Sequence, residues 1–102
     1  VITIDSSTAE RVPVTIATSA DPTGGDVEFS LTTGASPTVW VAGTWDGSWN
    51  ATTGRVSALS PLVGDGQDLD TDTDGVSDWS LWVRWTVGTE VPVRLATKIR
   101  VT

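Results

Sequence analysis

The chain contains no Cys, no His, no Met and no Tyr, a single Phe and a single Lys, Lys98. Without Cys, disulfides, Cys-ligated zinc and thiol chemistry are excluded. Without His and Cys, the usual nucleophilic and general acid–base groups are missing. A Ser–Lys pair would have to recruit Lys98, which falls mid-strand on a solvated face. Two carboxylates could in principle cleave a glycoside, but the acids gather in turns and one loop. The expectation is therefore a protein that is not an enzyme. No apolar run approaches the roughly 18 residues needed to cross a bilayer as a helix. No charged-then-apolar leader is visible either. The formal net charge of −7 repels phosphate, so neither nucleic acid nor an anionic membrane surface is expected as a partner.

What is present is 102 residues, Ser- and Thr-rich, with six Trp. That length suits a single domain over residues 1–102. Apolar residues recur with a period of two, and no stretch sustains helical spacing. Ile2 and Ile4 open a short strand. Val12, Val14 and Ile16 mark a second, where Pro13 removes a ladder donor and predicts an edge or a bulge. "DPTGG" at 21–25 is a turn signal. Val27, Phe29 and Leu31 mark a half-buried strand, and residues 38–46 and 55–63 read as two more. "DGSWNATTG" reads as a loop or tight hairpin between those two, and 64–77 as a long acidic loop.

The clearest pattern lies at the end. Trp79, Leu81, Val83, Trp85 and Val87 share one face of a strand, and Val91, Val93, Leu95, Ile99 and Val101 one face of the next. The short "GTE" connection predicts an antiparallel hairpin with Leu81, Val83, Val93 and Leu95 buried. Pairing Val87 with Val91 would set Trp82 opposite Ala96, Arg84 opposite Arg94, and Asp78 opposite Arg100. About seven strands spaced by turns predict an all-β fold, an immunoglobulin-like antiparallel β-sandwich. The antibody hallmarks, a Cys pair and a corner Tyr, are absent.

Two features carry candidate sites. "DTDTDGVSD" places Asp70, Asp72, Asp74 and Gly75 as D-x-D-x-D-G, with Asp78 four residues beyond Asp74. Alternate carboxylates of this kind converge on calcium, with the Val76 carbonyl as a further ligand. The twelfth position, which needs a bidentate carboxylate, is Leu81, and no flanking helices are evident. A solvated Asp/Gly turn is the plain alternative. The second feature is Trp. Trp79 and Trp85 fall on the core face. Trp82 and Trp40 point the other way, and Trp45 and Trp49 bracket a turn; these four are candidate partner-contact residues, the plain alternative being that they cover sheet surface and each other. Trp82, Arg84, Arg94 and Arg100 share an outward face in the register above. An acidic protein surface would relieve the Arg84–Arg94 repulsion, with Trp82 as the desolvated anchor.

The segments "DPTGGDVEFSLT", "WVAGTW" and "WSLWVRWTVGTEVPVRLATKIRVT" cover roughly half the chain. As a set they resemble small β-sandwich proteins of tailed phages of actinobacteria. The resemblance implies a virion component, at the capsid surface, neck or tail. Its implied partners are major capsid, neck or tail proteins, with self-association a further possibility. It offers no catalytic residues, and the acidic loop departs from the shorter, Gly-rich link of that pattern. A carbohydrate-binding module using exposed Trp, with structural calcium, is the rival from another class. An adhesion or spacer domain is a third.

Overall fold

Val27, Phe29 and Leu31 alternate with polar residues, and that alternation builds an inner strand of the larger sheet. The computed structural model describes residues 2–5, 8–33, 36–64, 66–71 and 78–102. Among these residues there is no helix, and the fold is all-β, with two principal sheets packed together. The strands are β1 (Ile2–Ile4), β2 (Pro13–Ala17), β3 (Val27–Thr32), β4 (Val41–Ala42), β5 (Thr44–Asn50), β6 (Arg55–Leu59), β7 (Val63–Gly64), β8 (Leu69–Asp70), β9 (Asp78–Trp85) and β10 (Val93–Val101). The larger sheet has the order β1-β10-β9-β3-β4, and the smaller the order β2-β6-β5. A short parallel pair, β7 with β8, stands apart. β2 lies at the edge of its sheet, where Pro13 costs the ladder nothing.

Between the sheets Phe29, Leu81, Val83, Trp79 and Trp85 meet Ile16, Val56 and Ala58 in one buried cluster. Ser60 is buried at its margin. Its backbone N–H donates to the Val12 carbonyl, and its hydroxyl accepts from the Val12 N–H at 2.8 Å. The indole N–H groups of Trp79 and Trp85 are buried with no hydrogen-bond partner among the described residues.

The strand expected over 38–46 is broken into two. β4 belongs to the larger sheet and β5 to the smaller, and the chain changes sheet at Gly43. A Cβ at Gly43 would lie 2.7 Å from the Leu59 carbonyl oxygen and 2.7 Å from Cδ1 of Phe29. Only a residue without one lets the backbone pass between the sheets there. "DGSWN" is not a loop: it continues β5, irregular in register between Asp46 and Asn50, with Gly47 at φ 100°. The strand expected over 55–63 ends at Leu59.

The closing hairpin forms, with a tighter turn than "GTE". Val87 bridges Glu90, so the loop is Gly88–Thr89. Gly88 has φ 60° and no described non-Gly residue has positive φ, the signature of a type II′ turn with Gly first. The register is therefore offset by one from the expected one. Val93 faces Arg84, Arg94 faces Val83, and Leu95 faces Trp82. A bulge between Leu95 and Thr97 then absorbs one residue, and Asp78 meets Arg100 as expected.

The expectation that Val93 and Leu95 are buried is thereby overturned. A one-residue offset sends a strand's apolar set to the opposite face. Before the bulge Val93 and Leu95 point outward, 39% and 46% exposed, whereas after it Ile99 points inward and is buried. Leu81 and Val83 are buried as expected.

The "DPTGG" turn is held by its first residue. Both the backbone N–H and the hydroxyl of Thr23 donate to Oδ1 of Asp21, at 2.9 and 2.6 Å. The hydroxyl bond first, and the N–H bond second, hold the Asp21 carboxyl below its ordinary value. With a depressed folded-state value, the contribution of Asp21 to stability is present above the unfolded-chain value of about 3.9. It is lost as pH falls through the lower folded value. NMR titration is expected to find Asp21 below the usual aspartate range, and Thr23→Val is expected to move it upward. An Asp21 midpoint unmoved by Thr23→Val would refute the role of the hydroxyl.

Candidate interaction face

The outward side chains of β9, β10 and β3 form the outer face of the larger sheet. Register places Glu28, Arg84 and Val93 in one row across it, and Ser30, Trp82 and Leu95 in the next. Thr32, Ser80 and Lys98 make a third row, and Asp78 with Arg100 a fourth. Polar contacts within and between the rows organise the face. The Arg84 guanidinium donates from Nε to Oε1 of Glu28 at 3.0 Å. Its Cζ lies 4.4 Å from the centroid of the Trp40 ring. A cation over an indole in a partly exposed setting contributes about 1 kcal/mol. The Trp82 indole N–H donates to the Thr32 hydroxyl at 3.0 Å, which fixes the ring across the sheet. Lys98 Nζ donates to the hydroxyl of buried Ser80 at 3.0 Å. Arg100 Nε donates to Oδ1 of Asp78 at 2.9 Å, and this bond holds the Arg100 value above its usual one.

The Arg84–Arg94 clash expected from the sequence does not arise. Arg84 is neutralised by Glu28 from the neighbouring strand, which the hairpin considered alone leaves out. Arg94 is opposite inward-facing Val83, so it leaves this face altogether. Of the candidate contact residues, Trp82, Arg84 and Arg100 therefore share this face, Trp40 joins it by stacking on Arg84, and Arg94 leaves it. Trp45 and Trp49 belong elsewhere. Both pack against the core, and their indole N–H groups donate to the Gly25 and Thr18 carbonyls at 2.9 and 3.3 Å. They fasten the smaller sheet to its flanking turns.

Val93 and Leu95 complete the outer face, and sequence periodicity missed them because it assigned them to the core. The available signal was Gly88, which suits the first position of a two-residue turn. The tighter turn and the Asp78–Arg100 pair hold together only because the bulge inserts one residue, which turns whatever lies before it to the other face. The result is a face with two ion pairs, a Lys98 held by a hydroxyl, and an apolar margin at Val93 and Leu95 beside Trp82.

Of the calcium candidates, Asp72, Asp74 and Val76 lie outside the described residues. Asp70 accepts from the Gly66 N–H at 3.0 Å, and Asp78 is engaged by Arg100. Among the described residues no group of three or more acidic side chains is placed to hold a metal ion. Comparison of the chain with family models, with curated proteins and with solved structures found no match.

Proposed function

We propose that the chain is a non-enzymatic interaction module of a tailed-phage virion, docking on a capsid, neck or tail protein through the outer face of its larger sheet. The observation that carries the docking role is the outward pair Val93 and Leu95, beside Trp82 and the Arg84–Trp40 stack. Exposed apolar side chains beside ordered aromatics, with neutralised charges at either end of the face, are a composition suited to an interface. The virion setting is supported by the sequence resemblance alone. The strand order β1-β10-β9-β3-β4 over β2-β6-β5, with β1 parallel to β10, supports an immunoglobulin-like sandwich as the finer description of the fold.

The geometry favours this reading over carbohydrate binding. Stacking on a sugar needs an open aromatic face; Trp79 and Trp85 are buried, and the other four Trp are only partly exposed, with the Trp82 ring fixed on Thr32. Trp45 and Trp49 are turned to the core, and Trp40 is covered by Arg84.

Truncating a buried anchor costs about 2 kcal/mol of binding when it is a hot spot, roughly a thirty-fold loss of affinity. Trp82→Ala and Val93→Asp are therefore expected to load poorly onto particles lacking the protein, at limiting concentration, while melting close to wild type. Wild-type occupancy by both variants would rule out this face as the docking surface.

A further inference from the structure

We propose that the cleft between the open edges of β2 and β10 is a second binding site, which accepts an extended peptide strand from a partner chain. The strand would add along the edge of β10, whose Val93 and Leu95 side chains also complete the outer face, and its test reads main-chain protection, where the outer face is read by particle loading. The cleft has a volume of about 650 Å³ and is apolar at its floor, where Val14 and Ile16 of one sheet face Val83, Trp85 and Val87 of the other side. Residues 13–19 line one wall without a gap, and residues between 90 and 97 line the other. The five residues of β2 in that wall, Pro13–Ala17, extend over roughly 17 Å. The wall thus runs along a strand, as an added strand would require.

The walls supply backbone chemistry as well as apolar surface. β1 pairs with β10 only from Ile99 to Val101, and among the described residues no strand covers β10 before that. Ladder bonds link Val87 with Glu90 and Trp85 with Pro92, so by alternation Val93 and Leu95 turn their N–H and C=O groups to the open edge. The Val93 carbonyl already draws a donor: the Arg94 guanidinium bonds it at 2.9 Å. A side-chain cation on an edge blocks unwanted pairing and can be displaced by a better-fitting strand.

β1 shows which direction this edge accepts. It runs parallel to β10, and a partner strand continuing that ladder upstream of Ile99 lies directly over the cleft. Its main chain would meet Val93 and Leu95, and every second side chain would drop onto Val14, Val83 and Trp85. That is strand addition, with hydrogen bonds for affinity and a pocket row for selectivity. Glu90 and Arg94 are the charged residues of the lining, one of each sign, so the occupant needs no large net charge.

The probe is a seven-residue peptide alternating valine and threonine, closed by one glutamate and one lysine for solubility. It is titrated into the isotope-labelled full chain. Amide exchange at Val93 and Leu95 is expected to slow at least tenfold at saturation. The same peptide with every amide N-methylated is expected to leave exchange unchanged. Leu95→Pro removes one outward donor without touching the β9 ladder, and Val14→Asp places a charge on the cleft floor. Both are expected to abolish the protection, and Val14→Asp keeps the test intact if Leu95→Pro fails to fold. Unchanged exchange with millimolar peptide, or equal binding of the N-methylated control, would overturn the proposal. Protection that rises with protein concentration in the absence of peptide would also overturn it, by identifying a second copy as the occupant.

Discussion

Gly43→Ala is expected to destabilise the protein by about 3 kcal/mol, at the upper end of what overpacking costs. The added methyl would meet the edge of the Phe29 ring and the Leu59 carbonyl oxygen together. A ring can tilt, but Phe29 is fully buried between the sheets and has little room. The carbonyl cannot move without disturbing β6, and the Gly43 N–H is itself tied to the Val27 carbonyl at 2.9 Å. The backbone at the crossing is therefore held from both sides. For a domain of this size the loss corresponds to a fall in melting temperature on the order of 15 °C. Phe29→Leu in the same chain relieves the ring contact and leaves the carbonyl contact, so partial rescue is expected from the pair. A melting temperature within a few degrees of wild type for Gly43→Ala alone would show that the sheets are not so closely approached at this point.

Leu81→Ala and Leu95→Ala are expected to separate two roles within one hairpin. Leu81 is fully buried in the middle of β9, between Leu31 and Thr97 in the register. Its truncation removes apolar burial and leaves a cavity between the sheets, a loss of about 3 kcal/mol. Leu95, 46% exposed, stands on the outer face beside Trp82. Its truncation is expected to change stability by no more than about 0.5 kcal/mol and to weaken docking. Denaturant midpoints for the two variants, read beside particle occupancy, test the offset register directly. Equal destabilisation by both would return Leu95 to the core and remove the bulge on which the outer face depends.

The local physics of single strands was legible in the sequence. Period-two alternation marked β3 and β9, and their inward residues Phe29, Leu81 and Val83 are core. Pro13 marked an edge, and "DPTGG" marked a turn whose Asp and Thr supply its bonds. The lack of His and Cys bounded the chemistry, whereas the expected Asp78–Arg100 pair is met only because the bulge cancels a register that began one residue off. Each of these depends on neighbours in the chain or on one pair of adjacent strands.

Only the tertiary structure decided the rest, because it turns on partners distant in sequence. Glu28 neutralises Arg84 from a strand more than fifty residues away, so a hairpin examined alone exaggerated its charge. Trp45 and Trp49 were drawn inward by carbonyl acceptors on other segments. The strand over 38–46 split at Gly43 because each half found a different sheet to join. Ala96 lies at a bulge that alternation cannot register, since a bulge adds one residue without altering the apolar count on either side. That single residue moves Val93 and Leu95 from core to surface, and with them the face on which the proposed function rests.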